Sequence, residues 1–147
     1  MNEPSKTSVP AWFWVIAVVA LLWNLMGCMI LISEVFAKEA MMESFTDAQK
    51  EWSRSLPAWV YVVFAVSVGS GIAGSISLLQ RKRLSLPLFV ISCFAVMIQM
   101  VYTMLIAGGL QVMGPSGAIM PALVVGLSIV WLVFSVFSRG KGWLVQG

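Results

Sequence analysis

Ala11–Ile32 reads AWFWVIAVVALLWNLMGCMILI, an apolar run interrupted by one amide, Asn24, and by no charge. At the helical rise of about 1.5 Å per residue such a run covers ~30 Å, the thickness of a bilayer's hydrocarbon core. Three more stretches share the same pattern, Ala58–Leu79, Pro87–Ala107 and Gly117–Ser138, again without a charged residue. Four such runs predict an all-α membrane protein, a four-transmembrane-helix bundle that forms one domain over residues 1–147.

The rest of the composition fits that reading. Hydrophobic residues make up 60% of the chain and charged residues 10%, whereas soluble domains carry about 25% charged residues. The formal charge of +3 comes from lysines and arginines beside the apolar runs. They form no basic stripe with interleaved aromatics, which argues against nucleic acid as a partner. The lipid bilayer is the partner that most of this surface calls for. A proline precedes or opens each run, at Pro10, Pro57, Pro87 and Pro121, and proline suits a first helical turn because its missing amide would be unsatisfied there anyway. The first run is too long for the apolar core of a secretory leader, and Lys6 is the one basic residue before it. We therefore expect a retained helix.

Charge placement sets an expected orientation. Arg81-Lys82-Arg83 joins the second and third runs, Lys6 precedes the first, and Arg139 and Lys141 come after the fourth. By the positive-inside rule both termini and the Arg81–Arg83 loop are cytoplasmic. Trp12, Trp14 and Trp143 then mark the inner interface, and Trp59 and Tyr61 the outer one.

The first outer loop, Ser33–Leu56, contains Thr46-Asp47-Ala48-Gln49, the form of a capping box, with Phe45, Ala48 and Trp52 recurring at helical spacing. This predicts a short amphipathic helix. It either closes over the outer end of the bundle as a lid carrying Phe45 and Trp52, or rests on the membrane surface. The second outer loop, 108–116, is short and neutral and offers no site by itself.

Inside the bundle, Ala17, Ala20, Asn24 and Gly27 share one face of the first helix. Corresponding stripes are Ser67, Ser70, Gly74 and Ser77; Ser92, Ala95, Gln99 and Tyr102; and Ser128, Trp131 and Ser135. Gly27, Ser70, Gly71 and Gly74 are the candidates for close helix packing, and packing alone accounts for such stripes. The alternative is a site. Asn24, Ser67 and Gln99 fall in one layer, and an amide in hydrocarbon needs a partner. Asn24 and Gln99 either satisfy each other or line a neutral polar pocket with Tyr102, Ser128 and the aromatic walls Trp23 and Trp131, suited to an uncharged hydroxylated or amphipathic ligand.

Several chemistries lack their residues. The chain has no histidine, and its two cysteines, Cys28 and Cys93, sit in different runs on opposite sides of the midplane. Neither a bridge between them nor a zinc or haem site is expected, and the ten methionines read as apolar filling. No carboxylate falls inside a run; Glu34 is the nearest, with Lys38 one turn on to pair with it. A proton-coupled exchanger built on a membrane-embedded glutamate is not expected. No enzyme, cofactor or metal is expected either.

Ala20-Leu21-Leu22-Trp23-Asn24-Leu25-Met26-Gly27, with Pro57-Ala58-Trp59, Arg81-Lys82-Arg83, Pro87-Leu88-Phe89 and Met120-Pro121-Ala122-Leu123-Val124, resembles a group of small bacterial four-helix inner-membrane proteins often labelled "sugar transporter". The resemblance covers nearly the whole chain, and Trp-Asn-x-x-Gly is its most specific element. It implies a multi-pass protein of the bacterial cytoplasmic membrane and carries over no site residues. Two functions are the resulting expectations. One is a transporter or binding protein for a neutral, sugar-like or amphipathic solute, working as a homo-oligomer. The other is a non-catalytic accessory or scaffold subunit packed beside a larger membrane-protein partner.

Overall fold

A computed structural model describes residues 7–146; Lys6 lies outside the described residues. The fold is all-α, with no strand among the described residues and four helices long and apolar enough to cross a membrane. In chain order the helices are α1 (Ala11–Phe36), α2 (Lys38–Met41), α3 (Asp47–Ser55), α4 (Ala58–Leu79), α5 (Ser85–Met100), α6 (Gly109–Met113) and α7 (Ile119–Gly140). A π-helical segment, Val101–Ile106, prolongs α5, and a 3₁₀ turn, Pro115–Ala118, leads into α7. Pro10 and Pro57 occupy the N-cap positions of α1 and α4. Pro87 and Pro121 each fall at the third residue of their helix, where the amide would have no intrahelical partner and proline costs no hydrogen bond.

The helices pack in sequence, α1 on α4, α4 on α5 and α5 on α7, so α4 and α5 form the middle of the bundle. Small residues on α4 permit this. A Cβ added at Gly71 would overlap Asn24 Oδ1 of α1 and come within 3.2 Å of Ser92 Oγ of α5; one at Gly74 would lie 3.2 Å from the Phe89 ring. Ser67 Oγ donates to Ser92 O at 3.2 Å, and Ser92 Oγ returns a bond to Ser67 O at 2.8 Å. These reciprocal bonds staple α4 to α5 without any apolar side chain between the backbones. Ser70 takes no part, since its hydroxyl donates to Val66 O and Ser67 O of its own helix.

One end of the bundle is clasped. Phe13 of α1, Phe134 of α7 and Trp143 pack together with ring centroids 5.7 Å apart in two of the pairs, and Trp12 lies 5.2 Å from Trp143. Ser85 and Ser135 share a buried 2.9 Å hydrogen bond between α5 and α7. Helices α4 and α7 both end here in the same backbone motif. Lys82 N reaches Ser77 O while Arg81 N reaches Leu78 O, and Trp143 N reaches Ser138 O while Gly142 N reaches Arg139 O. The motif places the residue after the cap in the left-handed region. Gly142 does so at φ 73°, but Arg81 does so at φ 58° with a full side chain. That guanidinium donates to Trp143 O at 2.8 Å and to Thr7 O at 3.1 Å. The loop between α4 and α5, the C-terminal segment and the start of α1 therefore lie together at one end.

Helix α1 continues to Phe36, a turn beyond the expected Ile32. Glu34 is thus a residue of the long helix itself, in its last turn, at the helix end where it was expected. Its expected partner, Lys38, is near enough for its charge to act on Glu34 but makes no direct ion pair with it; Lys38 Nζ donates instead to Ser53 O at 2.7 Å and Tyr61 OH at 2.8 Å.

Candidate functional site

Away from the clasp, α1 and α7 are not packed on one another, and the space between them holds a cavity of about 430 Å³, a size that suits a small organic ligand. Helices α4 and α5 form its back wall with Val68, Phe64, Ser92 and Gln99. Trp131 and Ser128 of α7 and Trp23 and Asn24 of α1 bound its deep end. On the side between α1 and α7 it is bounded by Met26 and Met120, which are themselves 42% and 50% exposed on the outer surface. Both are flexible thioether side chains.

The cover is α3. Thr46 Oγ1 accepts from Gln49 N, and Gln49 Oε1 accepts from Thr46 N, the reciprocal capping box that starts this helix. Phe45, Trp52, Ser53 and Leu56 line the cavity from above, so the helix lies over the bundle and not away from it. It is strapped on two sides. Arg54 pairs with Glu39 of α2 at 2.7 Å, beside the Lys38–Ser53 bond. Opposite, the Trp52 ring rests on bare backbone: a Cβ at Gly109 of α6 would stand 2.9 Å from Trp52 and 2.6 Å from Thr103 O. The segment 108–116, expected to offer no site by itself, supplies the seat of Trp52 and one lining residue, Met113.

Of the seven residues expected to bind ligand, five line the cavity: Asn24, Gln99, Ser128, Trp23 and Trp131. Asn24 and Gln99 do not satisfy one another. Asn24 Nδ2 donates back to Ala20 O at 2.8 Å, and Gln99 Oε1 is buried with no partner. Trp131 Nε1 and Trp52 Nε1 are unpartnered as well. A buried polar atom left so costs about 1–3 kcal/mol; these atoms present no open surface to the cavity, so a ligand group reaches them only if the side chain turns. The hydroxyls are occupied by comparison, Ser128 on Val125 O and Thr103 on Gln99 O.

Ser67 and Tyr102 are not brought to the cavity. Ser67 is spent on the α4–α5 staple, and Tyr102 packs against Trp59 with ring centroids 4.5 Å apart. Thr103, four residues after Gln99, holds the inward position at ordinary helical spacing and bonds back to Gln99 O; the wider turn follows, with Ala107 N bonded to Tyr102 O five residues back. Gly27, expected for packing, also lines the cavity, as Val68 would stand an ordinary 3.4 Å from a Cβ there.

Glu34 is the residue that sequence reading leaves outside the site. It lines the cavity near Tyr61 at the covered end. The sequence does carry a signal for it, because the spacing of Asn24, Gly27 and Ile30 continues four residues further to Glu34. No protein-family model, curated protein or solved structure matches the chain.

Proposed function

We propose that this chain is a multi-pass membrane protein that binds an amphipathic solute in the cavity between α1 and α7 and passes it across or out of the bilayer. The observation that carries the reading is a mostly apolar cavity with Gln99 on its back wall and Trp131 at its deep end, residues whose Oε1 and Nε1 are buried without partners. A polyhydroxylated sugar needs many hydrogen bonds, and this lining supplies few. An apolar body with a short polar head matches it better. Entry between Met26 and Met120 gives such a molecule a route from the lipid, with α3 as the cover toward water. The positive-inside rule favours the clasped end, with Arg81, Lys82, Arg83, Arg139 and Lys141, as cytoplasmic. On the resemblance to small bacterial four-helix proteins, the membrane is the bacterial inner membrane. A homo-oligomer would give so small a protomer a larger frame for movement.

A second reading, a non-catalytic accessory subunit of a larger membrane complex, draws on the long apolar outer faces of α1 and α7, including Val15, Leu22 and Met29 on the first and Val133 on the second. Native mass spectrometry from mild detergent separates the two. A retained small molecule supports the solute reading, and a stoichiometric foreign protein supports the subunit. If Gln99→Ala and Trp131→Phe both leave solute retention unchanged, the site assignment is lost.

A further inference from the structure

We infer that the solute is a lipophilic cation, an amine or quaternary onium with a bulky apolar body, and that Glu34 is its counter-charge; this rests on the cavity being a solute site. Glu34 is a half-buried carboxylate on the cavity wall, with neither a hydrogen bond nor an ion pair among the described residues. It sits in the last turn of α1, which contains no basic residue. The carbonyl end of a helix disfavours a carboxylate and favours a cation. A positive head placed here therefore gains from the side chain and from the helix end together.

The walls suit the same charge. Trp23, Phe45, Trp52, Tyr61, Phe64 and Trp131 all line the cavity, and aromatic faces attract ammonium and onium groups. At the rim, the Lys38 ammonium already donates to the Tyr61 hydroxyl at 2.8 Å. Lys38 makes no direct ion pair with Glu34, since Ser53 O and Tyr61 OH hold its Nζ, although its charge still reaches the carboxylate. Gln99 and Trp131 are left to the apolar or hydrogen-bonding remainder of the ligand.

The test uses the full chain in lipid nanodiscs, with empty nanodiscs as the blank, and three aryl probes of similar shape: tetraphenylphosphonium, tetraphenylborate and neutral triphenylphosphine oxide. Equilibrium dialysis is expected to rank the cation above the anion. Glu34→Gln should weaken tetraphenylphosphonium by about tenfold or more, the scale of one charge-assisted contact, and leave triphenylphosphine oxide unchanged, which also verifies that the variant is folded. If the phosphine oxide binds and Glu34→Gln does not alter the cation's affinity, the counter-charge is refuted while the solute site stands. If none of the three binds above the blank, the solute site falls and the inference with it.

Discussion

Replacing Gly71 with alanine adds one methyl group at the point where α1, α4 and α5 come closest. The new Cβ would overlap Asn24 Oδ1 and lie 3.2 Å from Ser92 Oγ. Alanine is the better helix former by about 1 kcal/mol, but forcing a methyl into a packed contact costs roughly 1–3 kcal/mol. Asn24 can escape only by giving up its bond to Ala20 O, a further loss of about 1 kcal/mol. The net expectation is a loss of about 1–3 kcal/mol, read as reversible unfolding in mixed micelles. Asn24→Ala alone should cost about 1 kcal/mol. In the double variant the overlapping oxygen is gone, so the methyl is tolerated and the two losses should fail to add by about 1–2 kcal/mol. Gly126→Ala, with nothing within 4 Å of its Cβ, is the control and should be neutral or stabilising. Strict additivity of Gly71→Ala and Asn24→Ala would refute the claim that Gly71 exists to receive the Asn24 amide.

Gly109→Ala sets a Cβ against Thr103 O, a backbone atom that cannot turn aside; α3 should lose its seat, raising hydrogen exchange over residues 45–56 while the long helices keep their protection. Arg81→Gly relieves about 1–2 kcal/mol of left-handed strain and loses the bonds to Thr7 O and Trp143 O, whereas Arg81→Ala loses the bonds and keeps the strain. Thermal melts should therefore place Arg81→Ala below Arg81→Gly. The Arg54 hydrogen bond lowers the Glu39 pKa below its ordinary value. A depressed carboxylate stabilises the folded strap above its unfolded pKa and loses that effect as pH falls through the folded one, so labelling of a cysteine placed in α3 should rise at acid pH, and Arg54→Gln should remove that dependence. Both partners are largely exposed, so high salt should mimic the variant.

Hydropathy and prolines locate the four long helices to within a few residues because lipid demands long, uncharged, internally bonded segments. The cover helix is equally legible, as Thr46 and Gln49 carry their capping chemistry locally. Geometry that no local pattern encodes is what escapes the sequence. Val101–Ile106 has the composition of any membrane helix, yet it is wound as a π turn, which no local pattern announces. Glu34 reads as the end of the span because a charge ordinarily closes one, while the helix runs on beneath the cover. The cavity arises from the divergence of α1 and α7, two helices far apart in sequence, and that depends on packing along their whole length.

The clasp gives α7 the character of a lever. Phe134, held among the aromatic rings, and Met120, at the opening, are separated by about 21 Å of helix at the ordinary rise. A rotation of about 10° about the aromatic cluster displaces the Met120 end by about 4 Å, enough to admit an aryl ring edgewise. The ring cluster, the Ser85–Ser135 bond and the Arg81 contacts all sit at the fulcrum, where that rotation moves atoms least. Such a rotation would leave the aromatic fastening nearly in place and be resisted further along by the packing of α7 on α5, where Ser128 Oγ lies 3.7 Å from Cys93 Sγ.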